Sequence, residues 1–563
     1  MGISASRENR QLPPPEDIGD FRKFAGPTDQ YVIPEVPEKR RTTDLKFTII
    51  FAVCLLILVP FLIYTFVYAD LNRFIRGYDK CGNICGQKNS PVNEIFCSGQ
   101  DKTDKPFLRY KKEYTDLVVQ DECVSHCESD YQEILNRCLP KSSHESSSKE
   151  FSIFLSDVIH DINRSAGYIV GLCFIGFGFC IGMLCLFRYF VTVVVWTILV
   201  GSVLAIVALT GFFWYLSTTA TGSETDPMYY VSIVFTIASI FVIIMLICMF
   251  KRIKLVIRLF KESIKIIFGI PLILFEPLLT FLATLILLLI FGFFFITLST
   301  SGVLQQVTGD LYDYFPNHAM LFTIFFHCVI CIWVFQLIIG CQQMVIAGAV
   351  SAYYFARDKS AVAAPIYNSF YNLIRYHLGT VVFGSLIITI ICLIKALIRG
   401  LVNNRQAKLL IDCCLGAIED FLKYLSKNAY IQTAMHGQPF YKSGKRAVRL
   451  LAANALSAIA INSVGDFVLA MAKILVIAAT LLVGVLMNDS TITHFWAAIL
   501  ISVIFTAVIA DCFFTVFETT IDTLFLCFCE DSCINDGMER PYYMSVNLMQ
   551  YMEEAQKTTK ESH

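Results

Sequence analysis

Long apolar segments separated by short polar ones run through most of this 563-residue chain. In one of them, 188–217, residues 189–216 carry no ionisable group except Tyr phenols. About 20 apolar residues in a helix are enough to cross a bilayer. The pattern therefore predicts an all-α polytopic membrane protein whose helices are surrounded mainly by lipid.

Nine apolar segments are predicted to cross the membrane. A tenth, weaker crossing (helix 8 of ten) is predicted within 403–436, in a module, 399–460, that is expected on the cytosolic side. The nine lie at about 47–69, 166–187, 189–216, 228–250, 270–299, 319–350, 376–398, 464–488 and 492–517. With only nine crossings, the C-terminal tail would lie outside the cell. However, loop 489–491 is itself predicted to be external, and the span that follows it should return the tail to the inside. Charged residues in the tenth crossing are costly against lipid and are expected to face protein or a wet cavity.

Basic residues set the predicted orientation, because Lys and Arg are enriched in cytosolic loops. Four of them, Lys39, Arg40, Arg41 and Lys46, precede the first span, so the tail 1–46 is expected in the cytosol. The basic segment 251–268 has apolar residues at helical spacing and predicts a cytosolic amphipathic helix, with a cytosolic extension of the fifth span as the alternative. The C-terminal tail, 518–563, is expected in the cytosol as well.

One sizeable hydrophilic segment, 70–160, follows the first span and is therefore expected outside the cell. It holds six cysteines: Cys81, Cys85, Cys97, Cys123, Cys127 and Cys138. An even number in an extracellular segment predicts three disulfides, with fifteen possible pairings. The alternative is a zinc site that includes His126. Asn163 and Asn488 match the glycosylation sequon on predicted external segments.

The composition narrows the class of function. Hydrophobic residues make up 56% of the chain, charged residues 16%, and the formal net charge is −1, which argues against a nucleic-acid partner. No cleavable signal peptide is apparent, and Gly2 fits a myristoylation pattern. No phosphate-binding loop or catalytic constellation is found, so neither an enzyme nor a cofactor is expected.

Four motifs carry a family resemblance: GYDKCGNICGQKN at 77–89, RYHLGTVVFGSLI at 375–387, and the segments 417–447 and 522–545. In this order they resemble the choline transporter-like family of solute carriers. The resemblance implies ten spans, two cytosolic termini and transport of choline or a related amine. The loop 300–318 departs from that family because it is short and has no cysteine.

A quaternary ammonium cannot donate an N–H hydrogen bond, so aromatic faces and carboxylates are the groups expected to bind choline. The aromatic candidates are Trp196, Trp214, Tyr215 and Trp333. Eighteen residues, or five helical turns, separate Trp196 from Trp214, which places them on one face but ~27 Å apart. One small cation cannot contact both. Interfacial anchoring or core packing is the alternative for each of these aromatics.

The acidic candidates lie near the end of the last span. Asp511, Glu518 and Asp522 are spaced by seven and four residues, which predicts one acidic helix face. Asp511 is predicted to lie within the bilayer, where a carboxylate is by default a functional hypothesis, whereas Glu518 and Asp522 lie nearer the boundary and are expected to be solvated. Glu276, between Pro271 and Pro277, is predicted to be a gate residue on a broken helix, with a simple proline kink near the membrane interface as the alternative.

The sequence thus predicts an ATP-independent, alternating-access transporter of choline or a related small organic cation. The alternatives are a carrier of ethanolamine or another amine, and a receptor or adhesion protein that uses 70–160. The plasma membrane is the expected location, with an organelle membrane such as the mitochondrial one as the alternative. Oligomeric state is not determined by the sequence.

Overall fold

The computed structural model describes residues 40–92, 95, 97–112, 118–128, 131–134, 136–140, 158, 161–219, 225–308, 311–487, 492–535, 541–545 and 548–550. Its main α-helices are α1 Leu45–Val67, α2 Leu71–Ile75, α3 Ala166–Thr219, α4 Thr225–Gly269, α5 Glu276–Ser299, α6 His318–Phe355, α7 Pro365–Asn372, α8 Leu378–Leu401, α9 Arg405–His436, α10 Phe440–Ala453, α11 Ala455–Ala460, α12 Asp466–Leu486 and α13 Phe495–Ile534. Gly2 and Asn488 lie outside the described residues, and Asn163 is exposed just before α3.

The prediction of a polytopic helical membrane protein is confirmed, but the count of ten spans is not. Within the described residues, seven helical segments are long and apolar enough to cross a membrane. Two predicted spans lie in one of them, α3, whose dihedral angles are non-helical at Phe190. The predicted span 228–250 and the basic segment 251–268 form one helix, α4, rather than two separate elements.

Contacts between helices define two ends of the bundle. We call the end that carries the cysteine-rich domain the outer end and the opposite end the inner end. Helix α1 is antiparallel to α6, since Phe51 contacts Trp333 near the inner end and Thr65 contacts Thr323 near the outer end. Helices α6, α9 and α13 run parallel to one another and all end at the inner face.

Large apolar side chains cover much of the outside of the bundle, including Leu56, Val193 and Leu482. In a soluble protein such a surface would be an aggregation or interaction site, whereas around a membrane bundle it faces lipid. The main core lies where α3, α4, α6 and α13 meet, around Phe187, Phe260 and Phe514. The apolar residues of 251–268 pack into this core while Lys254, Lys261 and Lys265 stay exposed.

Helix α9, which covers the predicted weak crossing, changes character along its length. Its first half exposes Leu409, Leu410, Ile418 and Phe421, while Glu419 pairs with Lys395 of α8 at 3.1 Å. Its second half, 426–435, is buried throughout although its sequence is SKNAYIQTAM. Polar side chains are therefore enclosed by helices rather than exposed to lipid, as the cost of burying them requires.

The cysteine-rich domain contains a four-stranded sheet in the order β2-β1-β4-β3. Its strands are β1 Phe107–Lys112, β2 Val118–Val124, β3 Tyr131–Ile134 and β4 Arg137–Pro140. Three disulfides join Cys81 to Cys97, Cys85 to Cys123 and Cys127 to Cys138. The disulfide prediction is confirmed, and the zinc alternative is wrong because all six thiols are consumed in these bonds.

The short loop 300–318 forms a hairpin, β5 Val303–Thr308 and β6 Leu311–Phe315, that docks on the cysteine-rich domain. Tyr78 Oη donates to Asp313 Oδ1 at 2.5 Å, and Tyr314 Oη donates to the Gly82 carbonyl at 2.8 Å. Burial raises the pKa of Tyr314, which keeps this phenol protonated as a donor. Gly82 has φ of 78°, where a side chain would be strained.

Three helices are preceded by a turn with a hydrogen-bond spacing other than that of an α-helix. A 3₁₀ turn, Pro271–Leu274, precedes α5, and π turns at Leu373–His377 and Ile461–Gly465 precede α8 and α12. Pro271 begins the 3₁₀ turn and Pro277 lies in the first turn of α5, which explains the break around Glu276. All three irregular turns lie at the inner end, and such turns are frequent at functional sites.

Candidate functional site

Glu276 is a buried carboxylate at the first position of α5, directly after the 3₁₀ turn. Thr280 Oγ1 donates to its Oε1 at 3.0 Å, whereas Oε2 has no hydrogen-bond partner among the described residues. Gln342 of α6 lies beside it, and the Gln342 amide nitrogen is 3.4 Å from the Cys512 carbonyl of α13. Three helices therefore meet at a buried carboxylate oxygen that accepts no hydrogen bond. Burying such an oxygen costs free energy unless a cation or a proton binds to it.

A second group of charges joins α9, α12 and α13. Lys427 Nζ lies 2.5 Å from Glu518 and 2.6 Å from Asp522, and only 8% of the Lys427 side chain is exposed. Asp466, the first residue of α12, is close enough to interact electrostatically with all three. One buried ammonium thus faces three carboxylates, and Lys473 interacts with two of them, so carboxylates still outnumber ammonium groups and the group attracts cations. Asp522, expected from the sequence to be solvated, is buried.

Asp511 lies outside this group, although it shares the helix face that the spacing predicted. It pairs with Lys473 of α12 at 2.6 Å, and 68% of its side chain is exposed. Lys473 also interacts electrostatically with Glu518. The acidic face of α13 is therefore divided between two lysines, one buried and one accessible.

The structure does not bring the aromatic candidates into one cage. Trp333 is buried, and its indole N–H is directed at the Val382 carbonyl (3.3 Å) and the Ser385 hydroxyl (3.2 Å) of α8. Trp214 donates to Thr236 Oγ1 at 3.0 Å and, like its neighbour Tyr215, is exposed. Trp196 is partly buried against the main core.

Sequence reasoning missed Lys427 and the buried half of α9. Gln432, one helical turn further along, is fully buried, and neither amide atom has a hydrogen-bond partner among the described residues. A signal was present: Lys427, Asn428 and Gln432 lie in a segment already expected to be enclosed. Their partners on α13 are distant in sequence, so they could not be identified from local patterning.

The C-terminal segment 541–544 closes over the inner end. Asp531 of α13 accepts hydrogen bonds from the Tyr354 hydroxyl (3.1 Å) and from the backbone N–H groups of Tyr543 (2.9 Å) and Met544 (2.8 Å). Arg357 donates to two carbonyls of the same segment, and its guanidinium lies 3.6 Å from the centre of the Tyr543 ring. The tail motif therefore ties α6 to α13.

A second inner contact is the buried pairing of Glu530 with Arg446 of α10 and His436 of α9. Nearby, burial lowers the pKa of Lys359, and Arg357 lowers it further. The Lys359 ammonium donates to the carbonyls of Tyr353 and Tyr354 at the end of α6. The inner ends of the helices are thus linked mainly by charged hydrogen bonds, which are stronger than neutral ones.

Known proteins resemble this chain over most of its length. The family model described as plasma-membrane choline transporter matches residues 233–533. Choline transporter-like protein 1 of Torpedo marmorata is 30% identical over 92% of this chain and 94% of its own length. Choline transporter-like protein 3 of Homo sapiens is 29% identical over 92% of each chain. This chain belongs to the choline transporter-like family.

Membership in the choline transporter-like family confirms the resemblance carried by the four motifs. It identifies the chain as a membrane transporter and not an enzyme. The matched region contains Glu276, Lys427, Glu518 and Asp522, so both groups of carboxylates lie within the part that the family model describes. Trp196 lies outside it.

Proposed function

We propose that this protein transports choline, or a closely related small amine, by alternating access without ATP hydrolysis. The observation that carries the proposal is the buried Glu276 carboxylate, with one oxygen unpartnered, at the junction of α5, α6 and α13. Relatives of similar length are named choline transporter-like proteins, which supports choline as the substrate.

Glu276 suits this cargo chemically. A quaternary ammonium needs a counter-charge rather than a hydrogen-bond acceptor, and its methyl groups fit an apolar surrounding. Cys341 and Cys512 are near Glu276 and supply such a surrounding, and their thiols are weak hydrogen-bonding partners. The break before α5 allows this end of the helix to move while the rest stays packed.

The lysine–carboxylate group is the proposed switch. Lys427 contacts Glu518 and Asp522 together, so a shift of α9 against α13 would expose a carboxylate to a passing cation or a proton. Asp511, paired with accessible Lys473, is proposed to continue this path. Trp196 is proposed as an aromatic wall, and Trp214 and Tyr215 as interfacial residues.

The direction of α9 supports a further part of the proposal. Since α9 runs parallel to α6 and α13 and has 32 residues, ~48 Å at 1.5 Å per residue, it is long enough to be the tenth crossing. With basic residues before α1, both termini are then cytosolic, and the disulfide domain is external at the plasma membrane.

Uptake of labelled choline into liposomes containing the purified chain tests the proposal. We expect saturable uptake without ATP, with choline competing better than ethanolamine, and ethanolamine better than polyamines. Asp511→Asn and Trp196→Ala should lower uptake at unchanged reconstitution. If no uptake is seen but the cysteine-rich domain binds a partner, the receptor alternative is favoured.

A further inference from the structure

A cavity of about 610 Å³ opens where α3 bends and α4 ends. Its wall is formed by the turn of α3 from Arg188 to Val193 and by the last two turns of α4. None of the residues in the two carboxylate groups described above lines it. It is therefore a separate feature at the inner end of the bundle.

Three cationic side chains line this cavity: Arg188 of α3 and Lys261 and Lys265 of α4. Lys265 is partly neutralised by Glu262, whose Oε1 lies 2.7 Å away. Among the described residues, neither Arg188 nor Lys261 forms an ion pair. Two unneutralised charges and one half-neutralised charge around a single cavity indicate an anionic ligand.

The cavity also has an aromatic and apolar border. The Arg188 guanidinium lies 4.0 Å from the centre of the Phe268 ring, which fixes its position beside the cavity. Next to it, Tyr189, Phe190 and Val193 are exposed by 72%, 58% and 61%. A soluble anion gains nothing from contact with an apolar surface, whereas the acyl chains of a lipid pack against it.

We propose that this cavity binds the headgroup of an anionic phospholipid. Its phosphate lies between Arg188 and Lys261, and its acyl chains lie against Tyr189 and Phe190. Guanidinium and ammonium groups near a membrane surface recognise such headgroups in this way. The same positive charge repels choline, so this site differs from the one proposed for transport.

Lipid titration of the purified full chain in detergent, read by native mass spectrometry, tests this site. The probe is a short-chain phosphatidylinositol bisphosphate. We expect Lys261→Gln to weaken binding about fivefold, and Arg188→Gln to weaken it at least as much. Arg188→Lys should retain most of the affinity, which separates loss of charge from misfolding.

Lys254→Gln is the matched control, because Lys254 is an exposed lysine on α4 that does not line the cavity. Binding unchanged in this variant and weakened in Lys261→Gln supports the site. Equal losses in both would show a diffuse electrostatic attraction and would overturn it. Binding of soluble inositol bisphosphate as tight as that of the lipid would also overturn it, because the apolar border would then contribute nothing.

Discussion

The outer and inner halves of the bundle are held together by different kinds of contact. In the outer half, Thr65 Oγ1 donates to Thr323 Oγ1 at 3.0 Å, and the His327 ring stacks on Phe291 at 4.7 Å. In the inner half, Lys427 pairs with two carboxylates, and Arg446 and His436 pair with Glu530. The ion pairs of the outer half, such as Lys395 with Glu419 and Arg399 with Asp412, are partly exposed, whereas those of the inner half are buried.

This difference indicates where the molecule carries its function. Neutral contacts between apolar helices are the ordinary means of packing in a membrane, whereas buried ion pairs seldom add net stability. Charges kept at the inner end despite their desolvation cost are therefore expected to serve transport, and removing one partner should leave another charge uncompensated.

Removing the Lys427 charge should have the largest effect. Lys427→Met leaves Glu518 and Asp522 without their cation in a buried site, which costs about 3–5 kcal/mol. We expect a large fall in thermal stability in detergent and loss of choline uptake. Lys423→Met is the matched control on the same helix, since Lys423 is 42% exposed and its Glu419 partner keeps Lys395.

The control should cost less than about 1 kcal/mol, as expected for an exposed pair. A Lys423→Met variant as unstable as Lys427→Met would remove the distinction between buried and accessible charge. The triple variant Lys427→Met, Glu518→Gln, Asp522→Asn should regain stability but not uptake. Recovery of both would show that the charges serve only packing.

Neutralising Glu276 should have the next largest effect, and on uptake alone. Glu276→Gln keeps the shape and removes a charge whose Oε2 is unpartnered, so stability should be unchanged or higher. We expect uptake to fall at least tenfold, measured as the initial rate in liposomes. Asp420→Asn, which removes an exposed carboxylate on α9, should leave uptake within twofold. Equal falls in the two variants would contradict a site at Glu276.

Sequence patterning predicted the outer half of the molecule well. Apolar runs identify α1, α5, α6 and α8, and the even number of cysteines identifies the disulfide domain. At the inner end, the irregular backbone before Glu276 also follows from its two prolines. These features are local, so a single segment contains all the information needed to predict them.

The inner half could be predicted only in part. The spacing of the acidic residues on α13 was visible in the sequence, but their ion-pair partners were not. Asp511 pairs with Lys473, whereas Glu518 and Asp522 pair with Lys427. Hydropathy does not identify 426–435 as a buried segment because its residues are largely polar, although the helix bundle buries them. Long-range ion pairs of this kind depend on the packing of three helices and leave no periodic signal.

Removing one disulfide should have a smaller effect, confined to the outer end. Replacing Cys85 and Cys123 by Ser opens a loop of 38 residues and costs the domain about 3–4 kcal/mol. We expect faster proteolysis of the cysteine-rich domain and lower surface expression, with uptake per mature molecule within twofold. Cys413→Ser, at an exposed thiol of α9, is the control and should change neither. A loss of uptake per molecule would show that the cysteine-rich domain takes part in transport.

The smallest effect is expected for Trp214. The size of this effect distinguishes an interfacial tryptophan from a substrate-binding one. Trp214 is 38% exposed and makes one hydrogen bond, to Thr236, whereas Trp333 is buried and its indole N–H is shared between two acceptors. Trp214→Leu should therefore change stability by less than about 0.5 kcal/mol and uptake by less than twofold, while Trp333→Leu should lower stability by about 2–4 kcal/mol. Both are measured as thermal unfolding in detergent beside initial uptake rates. A tenfold loss of uptake in Trp214→Leu at unchanged stability would instead place the substrate path along the exposed end of α3, far from the charges of the inner half.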